Sequence, residues 1–189
     1  MRAITYSQLG EARDVLGLVE MDTPAPAAGE VCVRIALSGV NPSDVKSRKG
    51  RPGMTHPPFE QVIPHSDGAG VIEAVGDGVD PARIGQRVWI WNGQWQRPFG
   101  TAATHITLPE AQAVALADDV SFATAASLGI PGLTASHAVF NGGDVAGQTF
   151  LIQGGAGTVG YLAVQLAKWA GARVIATTGK TGAARASQA

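Results

Sequence analysis

From Met1 to about Leu116 the apolar positions come in short runs that alternate or cluster, broken every few residues by Gly, Pro, Asn or Asp. That is the rhythm of half-buried strands separated by turns. The expected strands are "RAITY", "EVCVRIAL", "GAGVIEAVG", "RVWIW" and "TAATHITLP", with "TPAPAAGE" and "RKGRPGMTHPPFEQVIP" as loops. Many short strands between Gly/Pro turns predict a small barrel or sandwich. From Asp118 the period lengthens. "DDVSFATAASLG" has helical spacing with Asp119 or Ser121 available as a cap, and "PGLTASHAVFNGG" reads as a helix with Pro at its start and Gly after its end. A strand "TFLIQ", a glycine turn, a helix and a second strand "RVIAT" follow. The helix should bury Val159, Leu162, Ala163, Leu166, Ala167 and Ala170, one face at i, i+3, i+4 spacing, and Gly171 should end it.

The change of period divides the chain into residues 1–120, β-rich, and residues 121–189, alternating α and β. Composition narrows this picture. Apolar residues make up 45% of the chain and charged residues 15%, enough for a buried core. Net charge is −1 and there is no basic run, so nothing favours nucleic acid or an acidic membrane surface. Cys32, within "VCVRIAL", is the single cysteine, which excludes a disulfide framework and a cysteine-built zinc site within one chain. It reads as an inert core residue. There is no signal-peptide pattern at the N-terminus and no uncharged apolar run long enough to span a bilayer, so a soluble cytoplasmic protein is the expectation.

The chemistry is concentrated near the end. Gly155-Ala156-Gly157-Thr158-Val159-Gly160 fits G-x-G-x-x-G, with a strand before it, an amphipathic helix after it and a second strand within about 30 residues. In a dinucleotide site the first glycine permits the tight turn, the second lets a pyrophosphate approach the backbone, and the third lets helix pack on strand. An NAD site carries Asp or Glu at the end of the second strand, for the ribose 2′-hydroxyl. Here that place holds Thr177-Thr178-Gly179-Lys180. No carboxylate stands there to repel a 2′-phosphate, and Lys180 either attracts one or is a solvated surface lysine. NADPH is the expected cofactor.

Six segments together resemble a known family: "GVNPSDVKSRKG", "IPHSDGAGVIEAVGDGV", "GQRVWIW", "FGTAATHITLPEAQAVAL", "SLGIPGLTASHAVF" and "LIQGGAGTVGYLAVQLAKWAGARVIATTG". In this order they resemble the medium-chain dehydrogenase/reductase superfamily, and within it the zinc-independent quinone oxidoreductases of the zeta-crystallin group. The resemblance implies an α/β chain: a GroES-like β-barrel domain, then the first βαβ part of a Rossmann domain, with a cleft between them. It implies hydride transfer from NADPH to a quinone or an α,β-unsaturated carbonyl. Rival readings are an enoyl reductase and a catalytically silent, crystallin-like NADPH-binding protein.

Zinc alcohol dehydrogenases of the superfamily carry Cys at the place of Asn41, His-Glu at His65-Ser66 and Cys near Ile130. One imidazole does not make a tetrahedral site, so no metal is expected. Without metal, oriented donors must stabilise the negative charge that hydride addition leaves on oxygen. The resemblance puts Asn41 beside the nicotinamide, as catalytic donor and cofactor contact; the other reading of "NPSD" is plain turn and cap chemistry, with Asp44 bracing the loop. Thr134 falls where the family has a hydroxyl near the nicotinamide, or else bonds its own helix backbone. The expected cofactor-binding set is therefore Asn41, Thr134, Gly155, Ala156, Gly157, Thr158, Val159, Gly160, Thr178, Gly179 and Lys180. Pro52 stands where many zeta-crystallin-like members have a tyrosine. Trp89, Trp91 and Trp95 either line a flat pocket for a quinone ring or pack in the core. The family continues for over a hundred residues beyond this length, so the chain is expected to be truncated or partly represented. Relatives are commonly homodimers, paired through the Rossmann half.

Overall fold

The computed structural model describes residues 1–189, which divide into two compact units, Met1–Ile130 and Pro131–Ala189. The first unit runs β1 (Arg2–Thr5), the single-turn α1 (Ala12–Val15), β2 (Gly17–Glu20), β3 (Glu30–Gly39), α2 (Pro42–Lys49), β4 (Asp67–Val75), β5 (Arg87–Ile90), β6 (His105–Pro109), β7 (Ala113–Ala115) and α3 (Phe122–Ala125). Five of these strands form an antiparallel sheet in the order β6-β3-β4-β5-β7. Its edges, β6 and β7, are joined by one 3₁₀ turn of three residues, Glu110–Gln112. Five flat strands would set those edges about 19 Å apart, at roughly 4.8 Å per step. The link from Pro109 to Ala113 reaches about 14 Å at most. The sheet therefore curls. All five strands feed one buried cluster, including Val31, Val33, Ile72, Val88, Ile90, Ile106, Leu108 and Ala113. In β5 and β6 burial alternates strictly, as period two requires.

The expected strands all form, although of "TAATHITLP" only His105–Pro109 is strand. The short β2 and β7 and the helix α2 are additional, because three or four residues, or a helix with little apolar character, leave almost no periodic signal. Cys32 is buried, its thiol pushed up by burial and by the Glu73 charge, consistent with an inert core position.

The second unit takes up most of α4 (Gly129–Phe140), then β8 (Thr149–Gln153), α5 (Thr158–Trp169), β9 (Arg173–Thr177) and the short α6 (Ala183–Ser187). β8 and β9 pair in parallel, Phe150 opposite Val174 and Ile152 opposite Ala176. Ala135, Val139, Val145, Ala163 and Ala167 form the core, with Phe150, Ile152, Leu162, Leu166 and Val174 against it. Val159 departs from expectation: it is 38% exposed, whereas Val164 is buried. The inward stripe of α5 centres on Gly160, Ala163, Val164 and Ala167. Val159 lies roughly a quarter-turn off that centre, in the first turn of the helix. Gly171, at φ 84°, follows the helix as expected. No helix is long and apolar enough to cross a membrane.

Candidate functional site

The polar centre of the first unit is Asp67, at the head of β4 and only 1% exposed. Its carboxylate accepts from Asn41 Nδ2 at 2.7 Å and from the Ile130 backbone N–H at 2.9 Å to each oxygen. Asn41 is the residue before α2, and Ile130 is the second residue of α4, so three distant segments converge on one carboxylate. The start of a helix presents unsatisfied N–H groups and a positive dipole end, which suits a buried carboxylate there. Burial pushes the Asp67 carboxyl above its ordinary value, and the bonds from Asn41 and Ile130 oppose that rise. Close approach shapes the nest: a Cβ at Gly129 would collide with Asp67 Oδ1, and one at Gly39 would sit 3.0 Å from the Asp67 Cβ.

Asn41 is itself buried and is held from two sides. Its backbone N–H donates to Asp44 Oδ2 at 2.7 Å, so the cap-and-brace chemistry of "NPSD" is present. Burial drives the Asp44 carboxyl up to about 6; the Asn41 N–H counters this, and the Asp67 charge adds to it. One Nδ2 hydrogen of Asn41 is committed to Asp67. The amide therefore has a fixed plane and one further hydrogen to give.

Asp67, and not His65, is the side chain that meets both Asn41 and Ile130. Comparison with the zinc enzymes falls on His65-Ser66 and passes over Asp67; an ionisable residue heading an apolar strand was the available signal. His65 instead bonds Ser38, with Nδ1 2.9 Å from Ser38 Oγ. No group of three or more His, Cys, Asp or Glu side chains is placed to hold a metal ion. The tryptophans of "VWIWNGQW" occupy three environments. Trp89 packs on Ala69, Ala125 and Ala126, Trp91 donates through Nε1 to the Ala111 carbonyl at 3.1 Å, and Trp95 is 66% exposed.

In the second unit the glycine turn joins β8 to α5. Gly154, one residue before the six-residue motif, carries the left-handed conformation at φ 75°, which a glycine adopts without steric cost. Gly155 lies under β9, where an added Cβ would stand 2.8 Å from that of Ala176. A Cβ on Gly160 would collide with the Gly154 carbonyl, so this glycine lets the helix seat on the end of β8. Gly157 precedes α5 and provides no side-chain cap. The N–H groups of Thr158, Val159 and Gly160 open the helix beside Ala156, where a diphosphate would find donors and the dipole's positive end. These are the residues that fit a dinucleotide. After β9, Thr178 Oγ1 donates to the Gly179 carbonyl at 2.9 Å, and Lys180 opens a 3₁₀ turn; both side chains are exposed. Gly182 folds back against Thr178 and Ala156, and the Arg185 guanidinium stacks 5.1 Å from the Tyr161 ring centroid. Thr134 lies on the exposed face of α4.

Residues 27–119 match the alcohol dehydrogenase GroES-like domain. The quinone oxidoreductase of Rattus norvegicus is 32% identical over 182 residues, covering 95% of this chain and 53% of that protein. Among solved structures, the quinone oxidoreductase of Pseudomonas syringae pv. Tomato DC3000 superposes with a TM-score of 0.83 at 37% identity, over 99% of this chain and 56% of that one. A mycobacterial protein solved as a complex with NADPH gives a TM-score of 0.81 at 29% identity, over 100% of this chain and 56% of that one. The chain spans about half the length of the curated relatives it matches.

Proposed function

The chain belongs to the medium-chain dehydrogenase/reductase superfamily, and we propose that the protein it represents is an NADPH-dependent reductase of quinones or α,β-unsaturated carbonyls that works without zinc. The observation that carries this reading is the glycine turn between two parallel strands, with its uncapped helix start and its carboxylate-free exit from β9. NADPH, when bound, supplies the hydride. Gly155 to Gly160 hold its diphosphate through backbone N–H groups, with no side chain in the way. Thr178, Gly179 and Lys180 accept the 2′-phosphate, because none of them repels it. Thr134 contributes a hydroxyl to the nicotinamide end.

In the first unit Asn41 offers its remaining Nδ2 hydrogen to the acceptor oxygen, where negative charge develops. Asp67 is the positioning group: by accepting the other hydrogen it fixes the amide plane before the substrate arrives. The same commitment of Asn41 supports a second reading, a silent NADPH-binding protein in which the amide only braces the fold. The complete protein decides between them. The reductase reading expects NADPH oxidation with a panel of quinones and enones, no zinc after dialysis, and a fall in kcat on Asn41→Ala with NADPH affinity kept. NADPH binding without turnover over the whole panel favours the silent reading, and stoichiometric zinc that is required for turnover overturns the metal-free mechanism.

A further inference from the structure

His65 is held in a way that neither unit's share of the hydride chemistry explains. Thr101 Oγ1 donates to the Asp67 backbone carbonyl at 2.6 Å. A carbonyl only accepts, so the single Thr101 hydroxyl hydrogen is spent there. Ser38 Oγ lies 2.9 Å from Thr101 Oγ1 and must be the donor in that pair. The Ser38 hydrogen is then spent as well, so at the 2.9 Å contact with Ser38 Oγ it is His65 Nδ1 that donates. Burial pushes His65 below its ordinary value, leaving a neutral ring with one proton at neutral pH. That proton sits on Nδ1, and Nε2 is a bare lone pair. No deeply buried side-chain nitrogen or oxygen lacks a partner, and His65 bonds through Nδ1 alone, so Nε2 is unpartnered and not fully shut off from solvent.

The relay is an orienting device. It ends on a peptide carbonyl, which has no proton to pass on, so it aims an acceptor and conducts nothing. The backbone is held to the same end. His65 sits at φ 78°, a left-handed conformation that costs energy for any side-chain-bearing residue, and its carbonyl is pinned by the Thr101 N–H at 2.9 Å. His65 lines a groove of about 440 Å³ whose walls include Ile4, Leu18, Ile35 and Leu37, with Leu18 and Leu37 exposed and Arg2 the one charged residue among them.

We propose that this groove is a binding site for a small apolar molecule carrying a phenolic hydroxyl, which donates to His65 Nε2. The walls take an apolar body, and the lone pair requires a donor. A phenol is a stronger neutral donor than an aliphatic alcohol. A molecule without a donor strips water from Nε2 and returns nothing, which penalises it. The site lies wholly within Met1–Ile130 and does not depend on whether NADPH binds the other unit.

The test uses the complete protein, free of NADPH, with ¹⁵N-labelled histidine and two probes, p-cresol and its methyl ether 4-methylanisole. Long-range ¹H–¹⁵N spectra at neutral pH should show His65 with its proton on Nδ1. p-Cresol should shift the Nε2 resonance saturably, and 4-methylanisole should bind about 10-fold more weakly, the worth of one hydrogen bond. Ser38→Ala should release the tautomer and weaken p-cresol. His65→Asn, which tolerates the left-handed backbone, should erase the difference between the probes. A proton on Nε2 in the free protein, equal affinity for both probes, or an unmoved His65 resonance overturns the proposal.

Discussion

The glycine turn and the Asp67 cluster make their chemistry in opposite ways. The turn is contiguous, Gly154 to Gly160, and works through backbone groups made available by missing side chains. The cluster joins Asn41, Asp67 and Ile130, with partners 26 and 63 residues from Asp67 along the chain, and works through one side chain. Short of proline, no substitution removes a backbone donor; other changes act by blocking it with added bulk. The side-chain cluster is sensitive to added bulk only at the glycines packed against it, Gly39 and Gly129, yet one truncation dismantles it. Adding atoms should therefore damage the first region, and removing atoms the second.

Asp67→Ala carries the largest expected effect. It leaves the Asn41 amide and the Ile130 N–H without their acceptor, at about 1–3 kcal/mol each, less the relief of no longer burying a charge. A net loss of about 3–4 kcal/mol in urea unfolding is expected, and Asp67→Asn, which keeps one acceptor, should lose less than half of that. A loss below about 1 kcal/mol for the alanine variant would show the cluster to be incidental. The counterpart in the turn is Gly157→Val in the complete protein. It should weaken NADPH about 100-fold, or ~2.7 kcal/mol, with the melting temperature little changed. Retained affinity would remove the pyrophosphate from the turn.

Legibility in the sequence follows the same division. "QGGAGTVG" between two strand patterns announces its turn, because every residue that matters is within one window and the glycines are needed for local reasons. Even there, the left-handed residue is Gly154, which no spacing rule singles out, and Val159 falls inward on i, i+4 grounds although the stripe centre passes through Gly160. The barrel strands are legible from alternation. Its curl is not, since that depends on which strands become edges. Asn41 stands out through the resemblance, but its tie to Asp67 is a tertiary fact: nothing in "NPSD" or "PHSD" says that the amide of one meets the carboxylate of the other. The His65 tautomer is still further from the sequence, resting on the order of donors through Ser38 and Thr101.

Asp44 sharpens the comparison through pH. Its folded value of about 6, set first by burial, lies above the ordinary 3.8. A carboxyl raised in this way favours the folded state fully below its unfolded value and loses that contribution as pH rises through the folded one. Ionised Asp44 should thus cost the parent on the order of 2 kcal/mol between about pH 4 and 6, with no further change above. Asn at this position still accepts from the Asn41 N–H but does not titrate. The stability of Asp44→Asn relative to the parent should climb from about pH 4 to 6 and then level off, in urea midpoints taken at each pH. A flat difference, or one that falls, would mean that the bond from Asn41 outweighs the desolvation.

The smallest expected effect lies at the exit of β9, where the turn's contiguous chemistry meets side chains. Thr177 ends the strand, and Thr178 and Gly179 follow with no acid among them. The Thr178 hydroxyl is turned onto the Gly179 carbonyl, so in the proposed reading it is the missing carboxylate, together with the cation of Lys180, that would distinguish NADPH from NADH. NADPH should bind the complete protein about 10-fold more tightly than NADH, or ~1.4 kcal/mol. Thr178→Asp sets a carboxylate where the NAD-type acid stands, so it should repel the 2′-phosphate, accept from a 2′-hydroxyl and invert the ratio. Lys180→Ala should bring the two affinities toward equality without inverting them, because it removes an attraction and adds no repulsion. Titration of parent and both variants with the two cofactors, at two salt concentrations, separates these effects. The Lys180 contribution should shrink as salt rises, whereas the hydrogen bond from a 2′-hydroxyl to the carboxylate brought in by Thr178→Asp should persist. Equal affinities in the parent, or a Thr178→Asp variant that still prefers NADPH, would place the 2′-phosphate away from this turn.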